Sequence, residues 1–236
     1  MRKRIIGIIV LLVLFFSQPL YSQIFKGMVI AGGNLTQIDG DESTGYSKLG
    51  LNTGLGVMAA LDKERNWLMS MEVLFNQLGS YEEYDPFNYN TTLNYASVPF
   101  LLHYEDKRGG WTFGAGLQYS RLFSVREDWG LPKDTILYFS RPDLNNLNDF
   151  KSEDISGVFD IRFRIWERLK FNFRYQYSLF AIRKDVVYFN GFPPVSYEFK
   201  TWKRDFYNNS MTIRLIYVIN ERSTKELDRN IRRNEY

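Results

Sequence analysis

Residues 49–61 read LGLNTGLGVMAAL, and large apolar residues alternate there with glycine, asparagine and other small residues. A period of two residues is typical of a β-strand whose two faces meet different surroundings. The same alternation recurs in eight segments of the chain. We therefore predict eight strands, at residues 26–35, 48–61, 67–78, 93–105, 111–124, 154–166, 169–181 and 206–219.

The connections between these segments alternate in length. Short turns are expected at 62–66, 106–110 and 167–168, and long loops at 36–47, 79–92, 125–153 and 182–205. Short turns on one rim and long loops on the other are typical of outer-membrane barrels. The prediction is an all-β fold, an eight-stranded antiparallel up-and-down transmembrane β-barrel. An even strand count places both mature termini on the periplasmic, short-turn side.

The two faces of the predicted strands differ in bulk. One face carries more than two dozen large apolar residues, among them Leu55, Phe100 and Phe173, while the other is rich in Gly, Ser, Asn and charged residues. The interior of an eight-stranded barrel has little room for bulky side chains. We expect the bulky face to point outward into lipid, since a soluble lipocalin-like barrel would need the reverse.

The N-terminus has the pattern of a secretory signal peptide. Arg2, Lys3 and Arg4 precede an apolar run at 5–16, and Leu20-Tyr21-Ser22 resembles a cleavage site. The run is shorter than the roughly 20 residues that a spanning helix needs. The predicted organisation is a signal peptide at 1–22, a barrel at 23–219 and a charged periplasmic tail at 220–236.

Composition excludes several classes of function. The leader supplies the whole formal net charge of +3, so the mature chain is formally neutral and shows no nucleic-acid signature. The chain has no Cys and one His, which argues against disulfides, thiolate metal sites and transition-metal centres. No cofactor is expected.

Four segments resemble the PorT-like family of small outer-membrane β-barrel proteins. They are GGNLTQIDGD (32–41), GYSKLGLNTGLGV (45–57), MEVLFNQLGS (71–80) and LNYASVPFLLHY (93–104). The resemblance implies a barrel fold and an outer-membrane address. The namesake of that family is required for type IX protein secretion, whereas many relatives have no assigned role. The family brings no catalytic motif.

Six charged residues are predicted to face the lumen. They are Glu72, Asp160, Arg162, Arg164, Arg174 and Arg214. One interpretation is a gated pore or a proton path. The interpretation that we favour is a static network that fills a closed lumen, because buried charges must be paired.

Two further features are weak candidates for chemistry. His103 is expected to be an interfacial residue at the short-turn end of its strand, the wrong rim for catalysis beside a surface substrate. The acidic run at 39–42 lacks the spacing of a calcium loop and is predicted to be a solvated loop tip.

The predicted outer loops combine aromatic with polar residues. The candidate partner surface comprises Tyr84, Phe87, Tyr89, Trp129, Tyr138, Phe192 and Trp202. Exposed aromatics are frequent anchors in interfaces, but the same residues would also serve to pack the loops into a cap over the barrel. The tail is either disordered or a docking segment.

The sequence as a whole favours a non-enzymatic outer-membrane barrel. We expect an accessory or structural subunit of a machine for envelope protein secretion or assembly, which binds partners through its outer loops or its tail. The alternative is a small pore with an Arg-lined lumen. A membrane enzyme is disfavoured because no acid–base pair falls at the outer rim. Expected partners are outer-membrane lipid and other envelope proteins, and not nucleic acid.

Overall fold

The computed structural model describes residues 25–41, 43, 45–62, 64–84, 87–129, 141–142, 149–190 and 200–219. Ten strands lie within them: β1 (Lys26–Asp39), β2 (Lys48–Ala60), β3 (Trp67–Tyr84), β4 (Phe87–Asp106), β5 (Trp111–Trp129), β6 (Arg141–Pro142), β7 (Glu153–Arg164), β8 (Leu169–Ser178), β9 (Arg183–Asn190) and β10 (Lys200–Val218). In this part of the chain, no helix has the length and apolar character needed to cross a membrane.

Eight of the strands form a closed antiparallel ring. The order is β1-β2-β3-β4-β5-β7-β8-β10, and β10 pairs back onto β1 from Met28↔Val218 to Asp39↔Tyr207. Ring closure satisfies the hydrogen-bonding groups of both edges, which an open sheet would leave exposed. The predicted all-β antiparallel fold is confirmed, and its strands follow the predicted order.

Buried and more exposed residues alternate along most of each ring strand, although not in the extended ends of β3, β5 and β10. In β7, Asp154, Ser156, Val158, Asp160 and Arg162 are buried, and they alternate with exposed or half-buried residues. On β2, Leu49 and Leu55 are 73% and 62% exposed whereas Asn52 is 2% exposed. The bulky apolar face therefore points out of the ring and the small, polar face points into the lumen, as the sequence predicts.

The long-loop side contains more regular structure than predicted. Residues 79–92 are not a loop, because β3 and β4 continue as a paired hairpin up to Tyr84↔Phe87. The predicted loop at 182–205 holds β9 and the start of β10, which pair with each other, while β6 adds to β9. These extensions are rich in Tyr, Thr, Asn and charged residues, so they lack the apolar alternation that marks a strand in lipid.

A β-bulge at Phe123 changes the direction of β5. Leu122 pairs with Tyr95 and Ser124 with Asn94, which leaves Phe123 as the extra residue. A bulge bends its strand and increases the local twist. On this side of the ring, Leu78 of β3 and Leu93 of β4 share a packed apolar cluster with Val186, Tyr188 and Phe206 of the β9–β10 hairpin.

Aspartates build two of the short turns. Asp62 accepts hydrogen bonds from the backbone N–H groups of Asn66 and Trp67, and Asp106 accepts those of Arg108 and Gly109. An aspartate that binds the backbone beyond it is a standard turn device. The third turn is wider than predicted, since residues 165–168 all lie outside β7 and β8.

Candidate functional site: a filled lumen and its outer rim

Five charged residues meet in the middle of the lumen. Glu72 comes from β3, Asp160 and Arg162 from β7, Arg174 from β8 and Arg214 from β10, and each is at most 1% exposed. The register brings Asp160 opposite Arg174, and Asn172 opposite both Arg162 and Arg214. We call these five residues the lumen cluster.

Asp160 is bound by all three arginines of the cluster. Its Oδ1 accepts a hydrogen bond from Nε of Arg162 at 2.8 Å. Its Oδ2 accepts from Nε and Nη2 of Arg174 at 3.0 and 2.9 Å, and from Nη2 of Arg214 at 3.3 Å. Charge-assisted bonds of this kind are the strong ones in a buried site.

Glu72 is the second carboxylate of the cluster, and it is shared in the same way. Arg162 and Arg174 donate to Oε1 at 3.1 and 3.0 Å, and Arg214 donates to Oε2 at 3.0 Å. Three guanidinium groups thus face two carboxylates, which leaves one formal positive charge. Asn172 and Asn52 spread that charge by accepting from Arg214 at 2.7 and 3.4 Å.

Arg164 does not join the cluster, contrary to the sequence prediction. Its Nη2 donates to the carbonyl oxygen of Lys107, in the turn after β4, at 3.3 Å. Arg164 is the last residue of β7, so the stagger of the strands places it at the short-turn rim rather than in the lumen.

His103 is not an interfacial residue as predicted, but lies fully buried in the lumen. Its Nε2 is 2.7 Å from Oγ of Ser70 and 3.4 Å from Nη2 of Arg162. A guanidinium only donates, so the contact with Arg162 is a hydrogen bond when Nε2 carries no proton. Gly114 makes room for the ring, since a Cβ at that position would overlap the imidazole.

Ser70, His103 and Asp160 are the residue types of a hydrolytic triad, but their geometry and burial do not fit one. The Nδ1 atom of His103 is 4.0 Å from Asp160, beyond hydrogen-bond distance, and Asp160 is already bound by three arginines. All three residues are at most 1% exposed, so a substrate has no approach to the serine. Within the described ranges, no group of three or more His, Asp or Glu side chains is placed to hold a metal.

Amide side chains fill the lumen on the loop side of the cluster. Asn34 and Asn52 both donate to Oδ1 of Asn76 at 2.8 Å, and Asn76 and Gln118 donate to Oε1 of Gln176 at 3.3 and 3.0 Å. These bonds connect five strands across the lumen.

Apolar side chains pack inside the ring on both sides of its polar centre. On the short-turn side, the packed set includes Met28, Met58, Leu68, Ile216 and Val218. On the loop side, the packed set is Ile38, Leu78, Leu93, Tyr95, Ile182, Val186, Tyr188 and Phe206, and we call it the outer cap. The buried charges of the lumen cluster thus lie between two sets of packed apolar side chains, and a buried Lys170–Glu105 pair lies nearer the short-turn rim.

A model of the outer membrane protein β-barrel domain family matches residues 8–204. The chain belongs to that family. The family match identifies the closed ring as an outer-membrane barrel of the kind found in Gram-negative bacteria. Among curated protein sequences, none matches this barrel significantly.

Three solved outer-membrane proteins are similar to this barrel over most of their length. Ail, the attachment invasion locus protein of Yersinia pestis, solved with the heparin analogue sucrose octasulfate, is 10% identical, with a TM-score of 0.40 and coverage of 82% of this chain and 99% of that one. Neisserial surface protein A is 8% identical, with a TM-score of 0.39 and coverage of 81% and 96%. OprG of Pseudomonas aeruginosa is 13% identical, with a TM-score of 0.35 and coverage of 82% and 96%.

Where the structure describes side chains of the predicted aromatic partner surface of the barrel, they are buried or half-buried rather than exposed. Tyr89 is 7% exposed, and Trp202 is half-buried with its ring stacked on Tyr188 at 6.1 Å. Trp202 packs against the outer cap. Tyr138 and Phe192 lie outside the described residues, as do the side chains of Tyr84, Phe87 and Trp129. The leader and the tail at 220–236 also lie outside them.

Arg183 stabilises the outer cap of the barrel, a role that the sequence did not predict. It is 3% exposed and forms a bidentate pair with Glu127 on β5 at 2.9 and 3.0 Å. Its guanidinium also lies 3.7 Å from the centre of the Phe150 ring. This residue joins the β5 extension to the β9–β10 hairpin. A lone arginine in a predicted loop gave no signal for such a role.

Proposed function

We propose that this chain is a non-enzymatic, eight-stranded transmembrane barrel that serves as an accessory or structural subunit of a machine for envelope protein secretion or assembly. A signal peptide at 1–22 exports it, both mature termini face the periplasm, and the long loops face outward. Partners bind through the outer loops or the tail at 220–236. The resemblance to the PorT-like family favours a role in protein secretion, of which type IX secretion is the specific candidate.

The filling of the lumen by bonded and packed side chains is the observation that carries this proposal. Conduction and catalysis both need an accessible polar path, whereas the described lumen places a bonded charge cluster between two apolar sets. The wall faces outward with residues such as Leu55, Phe100 and Leu117, all more than half exposed, which suits lipid. What remains for specific binding is the two rims and the segments beyond them.

Affinity purification tests the proposal. The chromosomally tagged protein is isolated from outer membranes in mild detergent and its companions are identified by mass spectrometry. We expect envelope proteins in stoichiometric amounts. A matched strain, truncated after Ile219, tells whether the tail carries the contact. A barrel that purifies alone after mild crosslinking contradicts the accessory role.

A small pore is the second candidate, and the formal positive excess of the lumen cluster favours it. Ions would pass only if the arginines exchanged partners and the two apolar sets parted. Recording from planar bilayers decides between the candidates: an anion-selective conductance that Arg214→Gln alters supports the pore, and silence at all voltages removes it.

A further inference from the structure

A patch of tyrosines stands on the outer wall at the loop-side ends of β1, β8 and β10. It consists of Tyr175 and Tyr177 on β8, Tyr207 on β10 and Tyr46 in the loop after β1, and we call it the tyrosine patch. Odd-numbered residues of these strands face outward, as the burial of Gln176, Ser178 and Asn208 on the lumen side requires. The patch thus lies outside the lumen.

Two of these rings are stacked in parallel. Tyr177 and Tyr207 lie nearly parallel, with an interplanar angle of 10° and ring centres 6.2 Å apart. Both side chains are half-buried, so part of each ring is open. Because the two residues sit on paired strands, the ring geometry is set by the register Asn209↔Tyr177 and Asp39↔Tyr207.

Polar groups border this stacked pair in a fixed arrangement. Asp39 accepts hydrogen bonds from the amides of Gln37 at 2.6 Å and Asn209 at 3.2 Å. Tyr46 donates its hydroxyl to Oδ1 of Asn209 at 2.8 Å. The carboxylate is held by amides rather than by a cation in the described residues.

We propose that the tyrosine patch binds the sugar headgroup of an outer-leaflet glycolipid. Aromatic ring faces pack against the C–H faces of sugar rings, and tyrosine hydroxyls, a carboxylate and an amide match sugar hydroxyls, which both donate and accept. The carboxylate of Asp39 opposes a phosphate group, so the chemistry favours neutral sugar over phospholipid. An ordinary aromatic girdle needs neither the fixed carboxylate nor the parallel rings.

The inference rests on the proposed orientation, with the loop-side rim outward. The purified full-length barrel in detergent is titrated with a neutral, dephosphorylated outer-core oligosaccharide from lipopolysaccharide, and binding is followed by calorimetry. The variants are Tyr177→Ala with Tyr207→Ala, and separately Asp39→Asn. The matched control is Tyr104→Ala, which removes one ring of the exposed Trp67–Tyr104 pair at the opposite rim.

We expect the double variant to lose affinity by about tenfold or more, and Tyr104→Ala to leave it unchanged. Equal affinity in wild type and double variant, or an equal loss in the control, overturns the proposal. If the protein binds phosphatidylglycerol and not the oligosaccharide, the patch is an ordinary aromatic girdle and the proposal is wrong. Dextran bound as well as the core oligosaccharide indicates a soluble glycan instead and also overturns it. Because binding is measured on purified protein, its failure is independent of whether the barrel has a secretion partner.

Discussion

Asp160 shows at the scale of one residue why the lumen holds together. It accepts four hydrogen bonds from three arginines in the absence of solvent. Removing one partner of a buried ion pair is costly because the other charge stays behind unpaired. The three arginines come from β7, β8 and β10, so this carboxylate ties together neighbouring strands of the ring.

The change Asp160→Asn leaves the shape of the side chain and removes its charge. We expect a loss of about 3–5 kcal/mol in the free energy of unfolding, because three guanidinium groups then share Glu72 alone. Urea titration of the refolded barrel, followed by tryptophan fluorescence, measures it. The control is Glu153→Gln in an ion pair more than half exposed, where about 0–1 kcal/mol is expected. Equal effects would contradict a structural role for the cluster.

Position 114 requires glycine because there is no room for a larger residue. A methyl group there overlaps the imidazole of His103, so Gly114→Ala must displace the ring and weaken its contact with Ser70. We expect a loss of about 1–3 kcal/mol in the free energy of unfolding. Gly33→Ala is the control, because a Cβ there meets only the carbonyl oxygen of Gly50 at an ordinary 3.5 Å. Unfolding curves that coincide for the two variants would refute the requirement for space.

At the scale of elements, the loop between β1 and β2 folds over the strand ends. Ser43 and Ser47 both donate to the carbonyl oxygen of Tyr81, and Tyr46 reaches Asn209 on the other side. Asp41 accepts from the backbone N–H of Ser43 at 2.9 Å. The loop is therefore fixed at three points by two different strands.

Protonation of Asp41 is predicted to stabilise this loop. Burial, with help from the carboxylates of Glu82 and Asp39, raises the pKa of Asp41 from 3.8 to about 7. Between those values the folded state binds more protons than the unfolded state, so stability falls as pH rises from about 4 to 7. We expect hydrogen exchange at 43–48, corrected for intrinsic rates, to be slower at pH 5 than at pH 8.

The variant Asp41→Asn provides the control for this pH dependence. An amide cannot ionise, so the difference in protection between the two pH values should largely disappear. If protection in the variant still changes with pH as in the wild type, another group controls the loop.

At the scale of the whole molecule, closure of the ring sorts residues into three regions: a lipid-facing wall, a lumen and two rims. The chain contains no cysteine, so single substitutions can report which rim is outside. Lys203 on β10 is exposed at the loop side, and Arg108 is exposed in the turn before β5.

We expect Lys203→Cys to react with a membrane-impermeant maleimide on intact cells, and Arg108→Cys to react only after the outer membrane is permeabilised. The reason is that the two positions lie at opposite ends of the ring. Labelling read on a denaturing gel checks it. The reversed pattern would mean that the long loops face the periplasm.

Period-two alternation determined by itself which side chains face the lumen and which face outward. Glu72, Asp160, Arg162, Arg174 and Arg214 could be assigned to one face because successive residues of a strand point to opposite sides. Sequential antiparallel pairing of the eight segments also followed from the alternating lengths of their connections. Both properties depend on neighbours in the chain, which is why the sequence alone suffices for them.

The height of each residue along the barrel axis was decided only by the tertiary structure. Strand stagger comes from the register of every ladder around the ring. It brings Glu72 to Arg162, 90 positions away, while it places Arg164 at the rim. The outer cap, its Arg183–Glu127 pair and the tyrosine patch likewise unite residues distant in the chain. No local pattern encodes such contacts, because these residues meet and stabilise one another only once the ring has closed.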